Sequence, residues 1–161
     1  MIQFEPMLDL YDELKALTAG LDANHIAYAL CGGLAMAVYG LARATVDIDL
    51  LIPEESLDAA RAAAQHLGYT VDAAPMNLAG GANKIRRISK IDPETGDLLM
   101  LDLLLVTGAL AEVWRTRREA EWEHGGLWVV SRRGLIALKQ LRRSGQDLDD
   151  IARLAEDDDE A

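Results

Sequence analysis

Two aspartates one residue apart interrupt an otherwise apolar run, "TVDIDLLI", residues 45–52. Strands disfavour Asp, because its short carboxylate competes with the backbone for hydrogen bonds and packs poorly on a pleated surface. Side chains two apart on a strand point the same way, so Asp47 and Asp49 would share one face, about 7 Å apart. Thr45 and Arg43 would join them if the extended segment begins that early, and Val46, Ile48 and Leu50 would fill the opposite face. Two carboxylates on a rigid strand can hold a divalent cation, and magnesium favours a few carboxylates completed by substrate phosphates. The bland alternative is an edge strand with one solvated face.

Asp102 supplies a possible third carboxylate, alone in the most apolar stretch of the chain, "LLMLDLLLV". An unpaired ionised Asp is expensive to bury there. If this strand lies beside the first, Asp102 faces Asp47 and Asp49, and two magnesium ions would offset the repulsion within the cluster. Asp97 is a weaker candidate, since it follows Gly96 at the end of a turn. Gly32 and Gly33 follow the apolar "YALC"; a glycine turn before a helix lets backbone N–H groups approach phosphate oxygens. Glycines after a strand are also the ordinary means of making a tight turn.

The elements that must position these residues follow from periodicity. Apolar residues at helical spacing from Leu8 to Leu17 predict a first helix that stops at Gly20. "HIAYALC" reads as a strand, the glycine pair as its turn, and "LAMAVYG" as a helix stopped at Gly40. "TVDIDLLI" is the second strand, and Pro53 with two glutamates opens a third helix that closes at Gly68. "GYTVDAAPMNLAGGA" is loop-rich. "NKIRRISKI" and "DLLMLDLLLV" are strands joined as a hairpin by "DPETG". The remainder reads as helix "GALAEVWRTRREA", strand "GLWVVS", helix "RRGLIALKQLRR" and, after the Ser144-Gly145 break, helix "DLDDIARLAE". This predicts an α/β (α+β) fold, a mixed sheet flanked by helices, with residues 1–155 as a single domain and 156–161 as a solvated acidic tail.

Composition narrows the function classes. The net charge of −11 argues against a protein that coats nucleic acid with a uniformly positive surface, yet 12 of the 16 Lys and Arg residues lie between Lys84 and Arg143. A local anion site stays open, and of this group Arg86 and Arg87 are expected near the open face of the site, although adjacent strand residues point to opposite faces. No apolar run approaches the roughly 20 residues that cross a bilayer and the N-terminus is acidic, so a cytoplasmic protein away from membranes is expected. Cys31, the single cysteine, reads as a small core residue. His25, His66 and His124 lack metal-ligand spacing, and Trp114, Trp122 and Trp128 read as core.

The glycine pair followed about fourteen residues later by Asp-x-Asp resembles the nucleotidyltransferase superfamily related to DNA polymerase beta. "RATVDIDLLI" and "ALKQLRRSGQDLDDIARL" extend the likeness to the small nucleotidyltransferase-like proteins of bacterial toxin–antitoxin and abortive-infection systems. The resemblance implies a nucleotidyltransferase fold in which Gly32 and Gly33 border a triphosphate, Asp47 and Asp49 hold Mg²⁺, and Lys139 and Asp147 stand near the nucleotide. Many relatives have Ser where this chain has Gly33. Residue by residue there are plainer readings too: Asp147 as the N-cap of the last helix, and Lys139 as a stem lying along the surface with its amine in water.

Taken together these readings predict a Mg-dependent nucleotidyltransferase that moves a nucleoside monophosphate from a nucleoside triphosphate to an acceptor, which could be tRNA, protein or a small molecule. Asp102 could also take the acceptor's proton. The alternatives are a non-catalytic antitoxin and a nucleotide-binding regulatory module. The short chain predicts a homodimer or a toxin or antitoxin partner that completes the cleft, held by an apolar patch such as the Trp114 helix. Failing a partner, the loop from Thr70 to Ala82 would supply the missing wall.

Overall fold

The structure is a computed structural model and describes residues 9–41, 45–122, 125–142 and 145–158. Its centre is a pair of parallel strands, β2 (Asp47–Pro53) and β6 (Leu98–Val106). Beyond their acidic residues both run through continuous apolar sequence. Ile48, Leu50, Leu51 and Ile52 of β2 and Leu101, Leu103 and Leu105 of β6 are buried, as expected of strands covered on both faces.

Around this pair the sheet grows in both directions. Strand β1 (Ala29–Cys31) runs antiparallel to β2, while β5 (Asn83–Ile91) runs antiparallel to β6 as the predicted hairpin. Beyond β1 lie β8 (Gly125–Val129), parallel to it, and β7 (Arg118–Trp122). Two short strands, β3 (Val71–Asp72) and β4 (Met76–Leu78), both pair with β5. The eight strands form one mixed sheet in the order β3-β5-β6-β2-β1-β8-β7, with β4 beside β5. The loop-rich reading of residues 68–82 therefore missed two strands.

Six helices accompany the sheet among the described residues: α1 (Leu10–Ala23), α2 (Gly32–Val38), α3 (Leu57–Gln65), α4 (Ala111–Arg115), α5 (Arg132–Arg142) and α6 (Gly145–Asp158). Asp9 caps α1 by accepting from the Tyr11 and Asp12 N–H groups, and the helix runs through Gly20 to Ala23 rather than stopping there. Gly40 and Gly68 do end their helical segments, with φ of 77° and 97° that side chains rarely adopt. The predicted helix over 108–120 divides into the short α4 and strand β7, because pairing with β8 overrides the helical preference of "RREAEW". Helix α6 continues through Asp158, into the segment read as a tail, and residues 159–161 lie outside the described residues. Arg43, His124, Arg143 and Ser144 also lie outside them.

Val46 was placed on the buried face of the second strand. It precedes β2 and is 66% exposed, so the core face begins only at Ile48. Among the described residues no helix is long and apolar enough to cross a membrane.

Candidate active site

Register brings the three aspartates to one place. Asp49 of β2 and Asp102 of β6 are direct partners across the parallel pair, and Asp47 lies two residues before Asp49 on the same strand. Together with Gly32, Gly33 and Thr45 they line a cavity of about 260 Å³, closed on another side by Leu135, Leu138, Lys139 and Arg142 of α5. Strands β2 and β6 thus present their acidic residues to a helix that carries cations.

The electrostatics are those of crowded carboxylates. Burial, and then the Asp102 and Asp47 charges, push the Asp49 carboxyl up to about 7. Asp47 is raised by the same causes, burial first and Asp102 second. Its Oδ1 is enclosed with no hydrogen-bond partner among the described residues. A buried oxygen without a donor is costly, and a cation is one group that would satisfy it. Asp102 differs from the other two, because Arg87 on the neighbouring β5 donates to both its oxygens, at 2.7 and 2.9 Å. Among the described residues no three Asp, Glu, His or Cys side chains are arranged to hold one metal ion. Asp47 and Asp49 fit a divalent cation by donor chemistry, whereas both oxygens of Asp102 already accept from Arg87.

The glycines have a local reason of their own. Gly32 adopts φ +69°, and a Cβ on it would collide with the Asp49 carboxylate. A Cβ on Gly33 would meet the Thr45 hydroxyl at 2.8 Å. The start of α2 therefore packs its backbone directly on the acidic strand, and any side chain there would occupy the cavity. Cys31, just before, is buried, and burial raises its thiol well above the usual range, which agrees with a core residue rather than a nucleophile.

Lys139 lines the cavity and Asp147 stands behind it without reaching the lining, and neither sits as its plain reading anticipated. Lys139 is 2% exposed, and its Nζ lies 2.9 Å from Asp150 Oδ2 and 3.8 Å from Asp147 Oδ1. The amine is thus held inside, not in water. Asp147 stands within the first turn of α6, which begins at Gly145, so it is not the N-cap; its other oxygen is 3.6 Å from Arg142 Nε. Asp150, fully buried, was not singled out from sequence. Its spacing of three from Asp147, which puts both on one helical face, was the available signal.

Arg86 and Arg87 part company as strand alternation requires. Arg87 faces the aspartates, whereas Arg86 donates to Asn77 on the opposite face. The segment from Thr70 to Ala82 does contribute a wall, since Met76 and Leu78 of β4 line the cavity. Trp114 and Trp122 are part-buried against the core, but Trp128 is 36% exposed. The Arg117 guanidinium lies 3.8 Å from the Trp114 ring and 5.3 Å from the Trp128 ring.

A mixed sheet with acidic residues on adjacent central strands and a glycine-led helix beside them is the nucleotidyltransferase fold. The lincosamide antibiotic adenylyltransferase LnuA, solved with lincomycin, matches over 89% of this chain and 95% of its own, with a TM-score of 0.60 and 18% identity. ANT(2")-Ia, solved with adenylyl-2"-tobramycin, matches over 88% and 84%, with a TM-score of 0.59 and 17% identity. TM1012 of Thermotoga maritima, assigned to the nucleotidyltransferases, matches over 99% and 100%, with a TM-score of 0.57 and 12% identity. At such identities the likeness establishes the fold alone.

The sequence itself is more specific. Residues 14–95 match the family described as "Nucleotidyl transferase AbiEii toxin, Type IV TA system", and the chain belongs to that family. No curated protein matches it.

Proposed function

We propose that this chain transfers a nucleoside monophosphate from a nucleoside triphosphate to an acceptor, with release of pyrophosphate. The observation that carries the reading is the in-register pair Asp49 and Asp102 with Asp47 beside them, lining one cavity with the glycine-led start of α2. Asp47 and Asp49 would hold Mg²⁺, which when bound supplies charge neutralisation on the phosphates and polarisation of the reacting oxygens. Gly32 and Gly33 let the triphosphate approach the strand edge. Lys139, already desolvated, adds positive charge at the wall where negative charge develops, a contribution of position and electrostatics. The acceptor oxygen forms a bond to the α-phosphorus as the bond to the bridging oxygen breaks, and the acceptor's proton passes to Asp102 once Arg87 has released it.

The experiment is pyrophosphate release, together with calorimetry of a nonhydrolysable triphosphate, for the wild type, Asp47→Asn and Asp49→Asn. Metal-dependent binding and turnover lost in both variants supports the reading; metal-dependent binding unchanged in both removes it. A second reading, a nucleotide-binding module without turnover, draws on the Arg87–Asp102 pair, which occupies the proposed proton acceptor. Tight binding with no pyrophosphate release under any acceptor supply would favour it. Membership of a toxin family of a two-component system supports an antitoxin as protein partner. Light scattering of the protein alone and with the product of a neighbouring gene tests this, and the same assay tests a homodimer. LnuA was solved with lincomycin and ANT(2")-Ia with adenylyl-2"-tobramycin, which supports a small-molecule acceptor as much as tRNA or protein.

A further inference from the structure

The cavity has a second half that the transfer chemistry does not use. Beyond the aspartates it is lined by Met76 and Leu78 of β4, Ile85 of β5 and Leu104 of β6, together with Asn83, the first residue of β5. Asn83 is 1% exposed, and its Oδ1 has no hydrogen-bond partner among the described residues. A buried amide oxygen left without a donor is unfavourable, and nothing in the strand pairing requires Asn here, since its cross-strand partner is Leu78. An apolar side chain would fill the position at lower cost. The amide is therefore the feature of this half that calls for a ligand.

Spacing says which ligand. Asn83, Ile85 and Arg87 alternate on one face of β5, and Arg87 is the residue bound to Asp102. Asn83 consequently lies about 13 Å along the strand from the Arg87–Asp102 pair, at 3.3 Å per residue. A nucleotide whose phosphates lie at the aspartates and glycines extends its base away from them, into the apolar half. Flat aliphatic walls suit the faces of a planar heterocycle, and a carboxamide offers one donor and one acceptor side by side, the complement of a base edge. The cavity volume of about 260 Å³ suits a nucleotide more closely than a macromolecular acceptor, which needs open surface.

We infer that Met76, Leu78, Ile85 and Leu104 form the nucleobase subsite and that Asn83 reads the base edge, setting which nucleoside triphosphate is accepted. The inference rests on the nucleotidyltransferase reading of the aspartates. A panel of the four nonhydrolysable ribonucleoside triphosphates and inorganic tripolyphosphate, each with Mg²⁺, separates the two. The wild type should rank the best base about tenfold or more above the worst, as a hydrogen-bonding subsite does. Asn83→Leu should bring the four to within about threefold of one another while holding tripolyphosphate within about twofold of wild type. Asn83→Asp keeps the shape, replaces the donor with a second acceptor, and should move the ranking toward guanine, which presents two adjacent donors. Circular dichroism establishes that each variant folds. A folded Asn83→Leu or Asn83→Asp with the wild-type ranking overturns the inference. So does a wild type that binds tripolyphosphate and all four nucleotides alike, although the reading of the aspartates then stands. A wild type that binds neither tripolyphosphate nor any nucleotide overturns both.

Discussion

Arg87 and Asp102 are bound side chain to side chain across β5 and β6, with both carboxylate oxygens accepting from one guanidinium. The pair settles a problem the sequence poses, a carboxylate in the most apolar strand of the chain, without invoking a metal. It also makes Arg87 the internal counter-ion of the acidic cluster, and the Asp102 bond raises the Arg87 pKa further above its ordinary value.

Arg87→Met should therefore leave Asp102 uncompensated beside two other carboxylates. Asp102 is buried while Arg87 is about one-third exposed, so the cost should be roughly 2 kcal/mol, below that of breaking a fully buried pair. The loss should be recovered in part by millimolar Mg²⁺, which would raise the melting temperature of the variant more than that of the wild type. Thermal melts with and without Mg²⁺ check this. An equal response in both proteins would mean that Arg87 does not take the place of a cation in the cluster.

The raised Asp49 carboxyl gives a pH dependence with a definite sign. Its value in the folded chain, about 7, stands above the ordinary 3.8, so folding favours the protonated form. The associated stability is fully present below about pH 4 and is lost as pH rises through 7. Asp47, shifted the same way, adds to the trend. Without divalent cation the melting temperature should fall between pH 5 and 8 more in wild type than in Asp49→Asn, and the variant should be the more stable protein at pH 8, as expected where a site trades stability for function. A melt series across this range decides it; parallel profiles would contradict the assignment.

Gly32→Ala tests why the chain needs a glycine there. The position combines φ +69° with a Cβ that would strike the Asp49 carboxylate. The left-handed backbone should cost about 1 kcal/mol for Ala, and displacing Asp49 adds to it. Metal-dependent nucleotide binding should fall at least tenfold while circular dichroism still reports a folded protein. Binding that survives unchanged would show that Asp49 can move without consequence.

How much of this was legible in the sequence follows from the range of the interactions. The aspartate face of β2 and the register partner Asp102 were readable, because strand alternation is local and the apolar surroundings made the acids conspicuous. Strands β3 and β4 were not, being two and three residues long, mostly exposed, and defined only by pairing with β5. "RREA" looked helical because Glu, Ala and Arg favour helices, and only β8, arriving from later in the chain, puts Arg118–Trp122 in a strand. The plainer reading of Lys139, a stem along the surface with its amine in water, failed because nothing in "LIALKQL" reveals that α6 will bring two carboxylates over it.

That last contact separates a structural role from a chemical one. Lys139→Met should destabilise the fold by about 3–5 kcal/mol, because it removes one partner of the buried Lys139–Asp150 ion pair. The double variant Lys139→Met, Asp150→Leu removes both charges and should regain most of that loss, since apolar replacement of a buried pair is often neutral or better. Asp147 keeps Arg142 as its partner in the double variant. Urea denaturation of the three proteins gives the stabilities, and pyrophosphate release gives the function. If Lys139 serves the phosphates, the double variant is as inactive as the single one despite its recovered stability. If instead turnover returns with stability, Lys139 does no more than fasten α5 to α6, and the positive charge for the leaving group falls to Arg142 or Arg87, which line the cavity among the described residues.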